Sequence, residues 1–148
     1  MFLMELFKVN VSEGGIPKQS VGTADVTEQG LEGDSHDRDA HSDIADQAVL
    51  ILPLSVYETL NREGYDVAPG DLGENFTIDG LKLKDMAVGD RYQVGPEVAI
   101  EITLVRKPGS RLRELDDTFP EALKRRGGFF ARVVKTGSVA EGDQVDKL

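Results

Sequence analysis

Both histidines of the chain fall in one short stretch, GLEGDSHDRDAH, residues 30–41. His36 and His41 stand among Asp34, Asp37 and Asp39, and Asp43 follows just beyond. Imidazole nitrogen and carboxylate oxygen are ligands that zinc and manganese accept. His36 and His41 are therefore the candidate metal ligands. On a helix, a spacing of five would set the two rings well off one face. Gly30, Gly33 and the dense aspartates point instead to a loop, where spacing carries no information. Close carboxylates repel by about 4 kcal/mol per pair at an effective dielectric of about 20, unless water or a cation relieves them. A solvated loop, a ligand-binding loop and a metal site all satisfy that condition.

Three further stretches carry chemistry. In SEGGIPK, the Gly14–Gly15 pair lets backbone N–H groups approach a ligand, and Lys18 supplies charge. A tight turn before proline explains the same residues. In PGDLGEN, Glu74 is a candidate general acid/base and Asn75 a candidate to orient a polar ligand. Both are also ordinary turn residues. In RKPGSRLREL, Arg106, Lys107, Arg111 and Arg113 cluster after a long apolar run. Arginine suits phosphates and other oxyanions, because its planar fork makes paired hydrogen bonds. Each such bond contributes about 1.5–3 kcal/mol, so two or three support micromolar binding after entropic losses. Ser110 lies in this cluster, but neither a neighbouring histidine nor an elbow motif marks it as a nucleophile.

These residues need a scaffold, and the pattern between them is mostly β. MELFKVNV alternates like a strand, and SVGTADV reads as the next. QAVLILP is a continuous apolar run, as a buried strand requires. LSVYETLNREGY reads as a helix with Leu54, Tyr57 and Leu60 on one face and Gly64 at its end. GENFTIDGLKL gives a short strand and a turn at Asp79–Gly80. GDRYQVGPEVAIEITLV gives a hairpin around Gly95–Pro96. TFPEALKRRGG reads as a short helix capped by Thr118, with Pro120 in its first turn. FFARVVKTG and VAEGDQVDKL supply the last strands. Seven or eight short strands, two helices and many glycine turns predict a mainly β, barrel-like or sandwich fold. No repeat or linker divides residues 1–148, so the expectation is one domain.

Composition narrows the function. The chain has 148 residues, 39% of them hydrophobic and 30% charged, as in a globular protein with a core. It has no cysteine, which excludes thiolate catalysis, persulfide chemistry and cysteine metal sites on its own residues. No apolar run reaches the length of a membrane span or a signal peptide, so a cytoplasmic location without membrane contact is the expectation. A formal net charge of −10 argues against nucleic-acid binding. The charge is uneven. Residues 105–135 hold nine basic and four acidic side chains, which points to a local anion site or to a basic face without a ligand.

In order, VSEGGIPK, GLEGDSHDRDAH, AVLIL, GYDVAPGDLGENFTIDGLKLKDMAVGDRYQVG, EVAIEITLVRKPG and FFARVVKTGSVAEGD resemble the MOSC domain. That module is named for the C-terminal part of molybdenum cofactor sulfurases. The resemblance implies a MOSC-type β-barrel acting in molybdenum-cofactor or sulfur-transfer chemistry. Some relatives are fused to pyridoxal-phosphate-dependent sulfurase domains, and others form part of molybdenum-containing reductases. It also implies a common cleft lined by Lys18, the loop Gly33-Asp34-Ser35-His36, Glu74, Asn75, Arg106 and Arg132. Arg106, Arg111 and Arg132 would meet a pterin phosphate there. Asp34, His36 and Glu74 are the candidates for a catalytic role. The family commonly carries a cysteine near the segment KPG, where this chain has Gly109 and Ser110. Ser110 would be at most an oxygen ligand, and any thiol would come from a partner enzyme. HSDIADQAV also departs from the glycine-rich stretch of many relatives, which touches the role of His41. The expected function is therefore a cleft for the molybdenum cofactor or another small phosphate-bearing anion. Two alternatives remain: a His/Asp metal-dependent enzyme, and a degenerate barrel kept for interactions.

Overall fold

The computed structural model describes residues 3–14, 16–35, 45–119 and 121–148, with the backbone alone at Ser110 and Arg111. Its strands are β1 (Met4–Val11), β2 (Gln19–Ser20), β3 (Thr23–Thr27), β4 (Gly30–Leu31), β5 (Val49–Pro53) and β6 (Phe76–Asp79), followed by β7 (Arg91–Val94), β8 (Val98–Val105), β9 (Phe129–Lys135), β10 (Gly137–Ala140) and β11 (Gln144–Lys147). One α-helix, α1 (Leu54–Arg62), separates β5 from β6. Strands β11, β7, β8, β9, β5, β6 and β1 pair in that order, and β1 pairs again with β11. The sheet closes into a seven-stranded barrel, as the β-rich pattern and the family resemblance implied. Strands β3, β4 and β10 form a separate small sheet.

The apolar run of β5 is explained by two coverings. Val49 and Ile51 face the barrel core, beside Phe76, Ile100 and Ala131. Leu52 faces outward into a second cluster with Val56, Tyr57 and Leu60 of α1. All five residues of β5 are buried, so alternation disappears from the sequence. β5 and β6 run parallel, Ile51 opposite Phe76. A parallel pair needs a crossover, and α1 provides it. The helix buries Val56, Tyr57 and Leu60, while Leu54 is only half-buried. It ends as expected, at Gly64 with φ +103°.

The hairpin around Gly95–Pro96 and the turn at Asp79–Gly80 form as read, with Val94 opposite Val98. Two expectations are corrected. The strand over SVGTADV breaks at Val21–Gly22, where Gly22 takes φ +78° and sends β3 to the small sheet. The second helix is only a 3-10 turn, Glu121–Leu123. Thr118 does not cap it: its backbone N–H and its hydroxyl both donate to Asp116 Oδ1, at 2.8 and 2.7 Å. Arg125, at φ +68°, then turns the chain before a helix can extend. Among the described residues no helix is long and apolar enough to cross a membrane.

Candidate functional site

A polar cluster lies where the end of β1, the start of β6 and two loops meet, beneath α1. Asp34 is its first hub. Its Oδ1 accepts from Lys18 Nζ at 2.6 Å and from the Ser12 backbone N–H at 2.9 Å. Its Oδ2 accepts from Asn75 Nδ2 at 2.9 Å. The Asp34 side chain is 0% exposed and that of Lys18 is 8% exposed, so this is a buried ion pair. Such a pair persists only when its remaining hydrogen-bonding capacity is filled, and Ser12 and Asn75 fill that of the Asp34 carboxylate.

Asn75 is the second hub. Its Oδ1 accepts from the Leu50 backbone N–H at 3.0 Å, and its Nδ2 also donates to the Asn10 carbonyl at 3.1 Å. Both amide protons are thus used inside the protein. Asn75 ties β1, β5 and the Asp34 loop together and has no donor left to orient a ligand. Gly70 supports the same contact. It sits at φ +94°, and a Cβ there would run into the Lys18 carbonyl. The Lys18 N–H donates to the Gly70 carbonyl at 2.8 Å. The Ile16–Pro17 bond preceding Lys18 is cis.

Glu74 is entirely buried. Tyr57 of α1 donates to its Oε1 at 2.5 Å. The Gly70 N–H, at 3.0 Å, and the Thr77 hydroxyl, at 2.5 Å, donate to its Oε2. Burial raises the Glu74 carboxyl above the ordinary range, and this outweighs the hydrogen bonds that favour its charged form. Burial and the adjacent Glu74 charge likewise hold the Tyr57 phenol well above its usual value. Asn10 Nδ2 donates to the Glu74 carbonyl at 3.2 Å and to Thr77 Oγ1 at 3.1 Å. Its Oδ1 is buried without a hydrogen-bond partner among the described residues.

Arg106 follows β8 and reaches the same place. A Cβ on Gly73 would come 3.6 Å from its Nη2, and the guanidinium feels the charge of Glu74. The side chain is half-buried, and desolvation lowers its affinity for a proton. Among the described residues, the Gly127 carbonyl is the one hydrogen-bond partner of the guanidinium, at 3.3 Å from Nη1. The other four of its five N–H donors have no hydrogen-bond partner among the described residues.

Of the residues expected to share a cleft, the structure brings together Lys18, Asp34, Glu74, Asn75 and Arg106. It does not join Arg132 to them. Arg132 lies opposite Glu101 in the β8–β9 ladder and binds it at 3.0 Å, and Arg91 holds the same carboxylate at 2.8 Å. Register decides this, and register is hidden in a sequence. His36 and His41, with Asp37, Asp39 and Asp43, lie outside the described residues, as do the side chains of Ser110 and Arg111. Among the described residues no group of three or more His, Cys, Asp or Glu side chains could hold a metal ion. Sequence reasoning missed Asn10, Tyr57 and Thr77 as members of the cluster. Tyr57 stood out only as a core residue of a helix face. The polar Asn10 and Thr77, inside otherwise apolar strands, were the available signal.

The match to the MOSC domain model covers residues 32–146, and the chain belongs to that family. It is 35% identical over 89 residues to a protein named Reductase from Gibberella moniliformis (strain M3125 / FGSC 7600). It is 27% identical over 145 residues to the uncharacterized protein YflK of Bacillus subtilis (strain 168). Those alignments take in 57% and 92% of this chain, but only 15% and 64% of the two relatives. The crystal structure of YiiM from Escherichia coli has the same fold, with a TM-score of 0.76 at 24% identity. The superposition covers 100% of this chain and 70% of that one.

Proposed function

We propose that this MOSC domain holds a small anionic ligand, a molybdenum cofactor of the molybdopterin type or another phosphate-bearing molecule, against Arg106. The observation that carries the reading is a half-buried guanidinium with a single hydrogen-bond partner among the described residues. The other charged groups of the site, and Asn75, are tied up internally: Lys18 with Asp34, Glu74 with three donors, Asn75 with three segments. A positive fork left open among filled partners suits an oxyanion. Lys107 beside it is exposed and adds to the local positive field.

The donor set fits the phosphate of such a cofactor and not its metal. Arg106 offers paired donors, whereas the chain has no thiolate to meet molybdenum or carry sulfur. The cofactor, when bound, would supply redox chemistry at its metal. This chain would hold and orient the anionic end. Any persulfide would have to come from a partner enzyme.

Titration of the protein with a phosphate-bearing pterin, followed by ligand fluorescence, tests the reading. Saturable binding, weakened at least about tenfold by Arg106→Ala, is expected, corresponding to loss of one charge-assisted contact. Absence of saturable binding, or an unchanged affinity in Arg106→Ala, overturns it.

A further inference from the structure

We propose that Gly127 is a positioning residue of the anion site: its carbonyl and its missing side chain together fix the direction in which Arg106 presents its guanidinium. The inference rests on the reading of Arg106 as the anion-holding group, and deepens it by naming what holds that group ready.

Head and stem of the Arg106 side chain both lie against Gly127. The Gly127 carbonyl accepts from Nη1 at 3.3 Å, the one hydrogen bond of the guanidinium among the described residues. A Cβ built on Gly127 would stand 3.1 Å from Arg106 Cδ, 3.2 Å from Pro108 Cγ and 3.4 Å from the Arg106 carbonyl oxygen. Side chains rarely pack that closely, so the neighbours would have to give way. Backbone freedom is not the reason for the glycine. Its φ lies outside the left-handed region, unlike that of Gly128 at φ +88°. Space is what position 127 provides, and the arginine stem takes it up.

The residues on either side of Gly127 are themselves anchored. The Arg106 N–H donates to the Gly128 carbonyl at 3.0 Å, which ties the chain after β8 to the residue before β9. The Arg126 N–H donates to the Leu123 carbonyl at 2.8 Å. The Arg126 guanidinium donates from Nε to the Ala122 carbonyl at 3.0 Å, and from Nη1 to the Glu63 carboxylate at 2.8 Å. The carbonyl between these two anchors is held in place against Nη1. Near the other terminal nitrogen stands a second glycine, Gly73, where a Cβ would come 3.6 Å from Nη2.

A free arginine side chain samples many rotamers and loses that freedom when an anion grips its fork. A guanidinium held beforehand loses less on binding, which favours the complex by about two- to tenfold in affinity for one such side chain. This separates positioning from plain packing. A glycine needed only for the shape of the loop would affect binding whether or not Arg106 is present. A positioning glycine acts only through Arg106, so its effect vanishes with the arginine.

Fluorescence titration with a phosphate-bearing pterin, applied to wild type, Gly127→Ala, Arg106→Ala and the double variant, tests this. Gly127→Ala is expected to weaken binding by about two- to tenfold, and to weaken it no further once Arg106 is alanine. Unchanged affinity in Gly127→Ala, or equal weakening in both backgrounds, overturns the positioning role and leaves the anion site standing. A second measurement needs no change at Gly127. The Arg106 Nε–H signal of the free wild-type protein is assigned by its loss in Arg106→Ala, and its NMR order parameter is determined. A value of about 0.6 or more is expected for a held guanidinium, and a lower one, typical of a flexible group, overturns the proposal. Failure of the wild-type protein to bind the pterin, or binding indifferent to Arg106→Ala, overturns the anion site and the role of Gly127 with it.

Discussion

Asp34 holds two loops and a strand with one carboxylate. Removing it would leave the Lys18 ammonium buried with no counter-charge, which costs about 3–5 kcal/mol. Lys18→Met likewise leaves the Asp34 carboxylate buried without its counter-charge, but it keeps the hydrogen bonds from Ser12 and Asn75. Asp34→Ala loses these as well, so it should destabilise the protein more. Denaturant midpoints of the two variants and of the double variant measure this. The double variant should recover part of the loss; simple additivity would show that the pair is not coupled. Residue types pointed to Lys18, Glu74, Asn75 and Arg106, the family resemblance added Asp34 and a common cleft, and these five do gather. Their roles were not legible. Asn75 reads as a ligand-orienting amide, yet Leu50, Asn10 and Asp34 consume it. Partners 25, 65 and 41 positions away leave no local trace.

At the scale of elements, the strands and the β7–β8 hairpin were readable because alternation and turn chemistry are local. The two-residue strands β2 and β4 were not, since a pair of residues has no period. The supposed second helix failed for a local reason too: Asp116 captured the group that should have capped it. The contact between the Lys18 and Gly70 loops is the one on which the site depends most. Gly70→Ala would place a methyl group against the Lys18 carbonyl at a backbone angle alanine avoids. It should cost several kcal/mol, on the order of 2–4 from strain and steric shift together. Gly64→Ala shares the positive φ but meets nothing within 4 Å, so it should cost only about 1 kcal/mol. Thermal unfolding of the two variants separates strain from collision. Equal losses would mean that the Lys18 contact is not tight.

For the molecule as a whole, the basic segment seen in the charge pattern proves to be several structures. Arg106 enters the cluster, Arg126 pairs with Glu63 at 2.8 Å, and Arg132 pairs with Glu101. A linear count of charge cannot see this, because the acidic partners come from the end of α1 and from β8. Stability should depend on pH with two opposed signs. The carboxyls of Glu63 and Glu101 are held below the ordinary range by hydrogen bonds from Arg126 and from Arg132 and Arg91. Asp116 is held down by Thr118. Groups lowered in the folded state add stability above their unfolded values, and this is lost as pH falls through the folded ones. Glu74 is raised, so its contribution is present below its unfolded value and lost as pH rises through its folded one. Urea midpoints from pH 3 to 8 should therefore show Glu74→Gln gaining on the wild type as pH rises through the Glu74 titration and then levelling off. A difference that ignores pH would contradict the assignment.

Barrel closure also has a consequence in time. β1 is held on one side by β6, Glu5 opposite Asp79, and on the other by β11, Met4 opposite Val145. During synthesis β1 leaves the ribosome before both of its barrel neighbours, which follow about half a chain and almost a whole chain later, while β2 covers only its Asn10–Val11 end. Until then it presents bare edges, the feature by which strands recruit foreign chains. Leu6 and Val9, fully buried once the barrel closes, are uncovered throughout that interval. The strand that helps to build the polar cluster is thus also the one that a nascent chain must shelter longest.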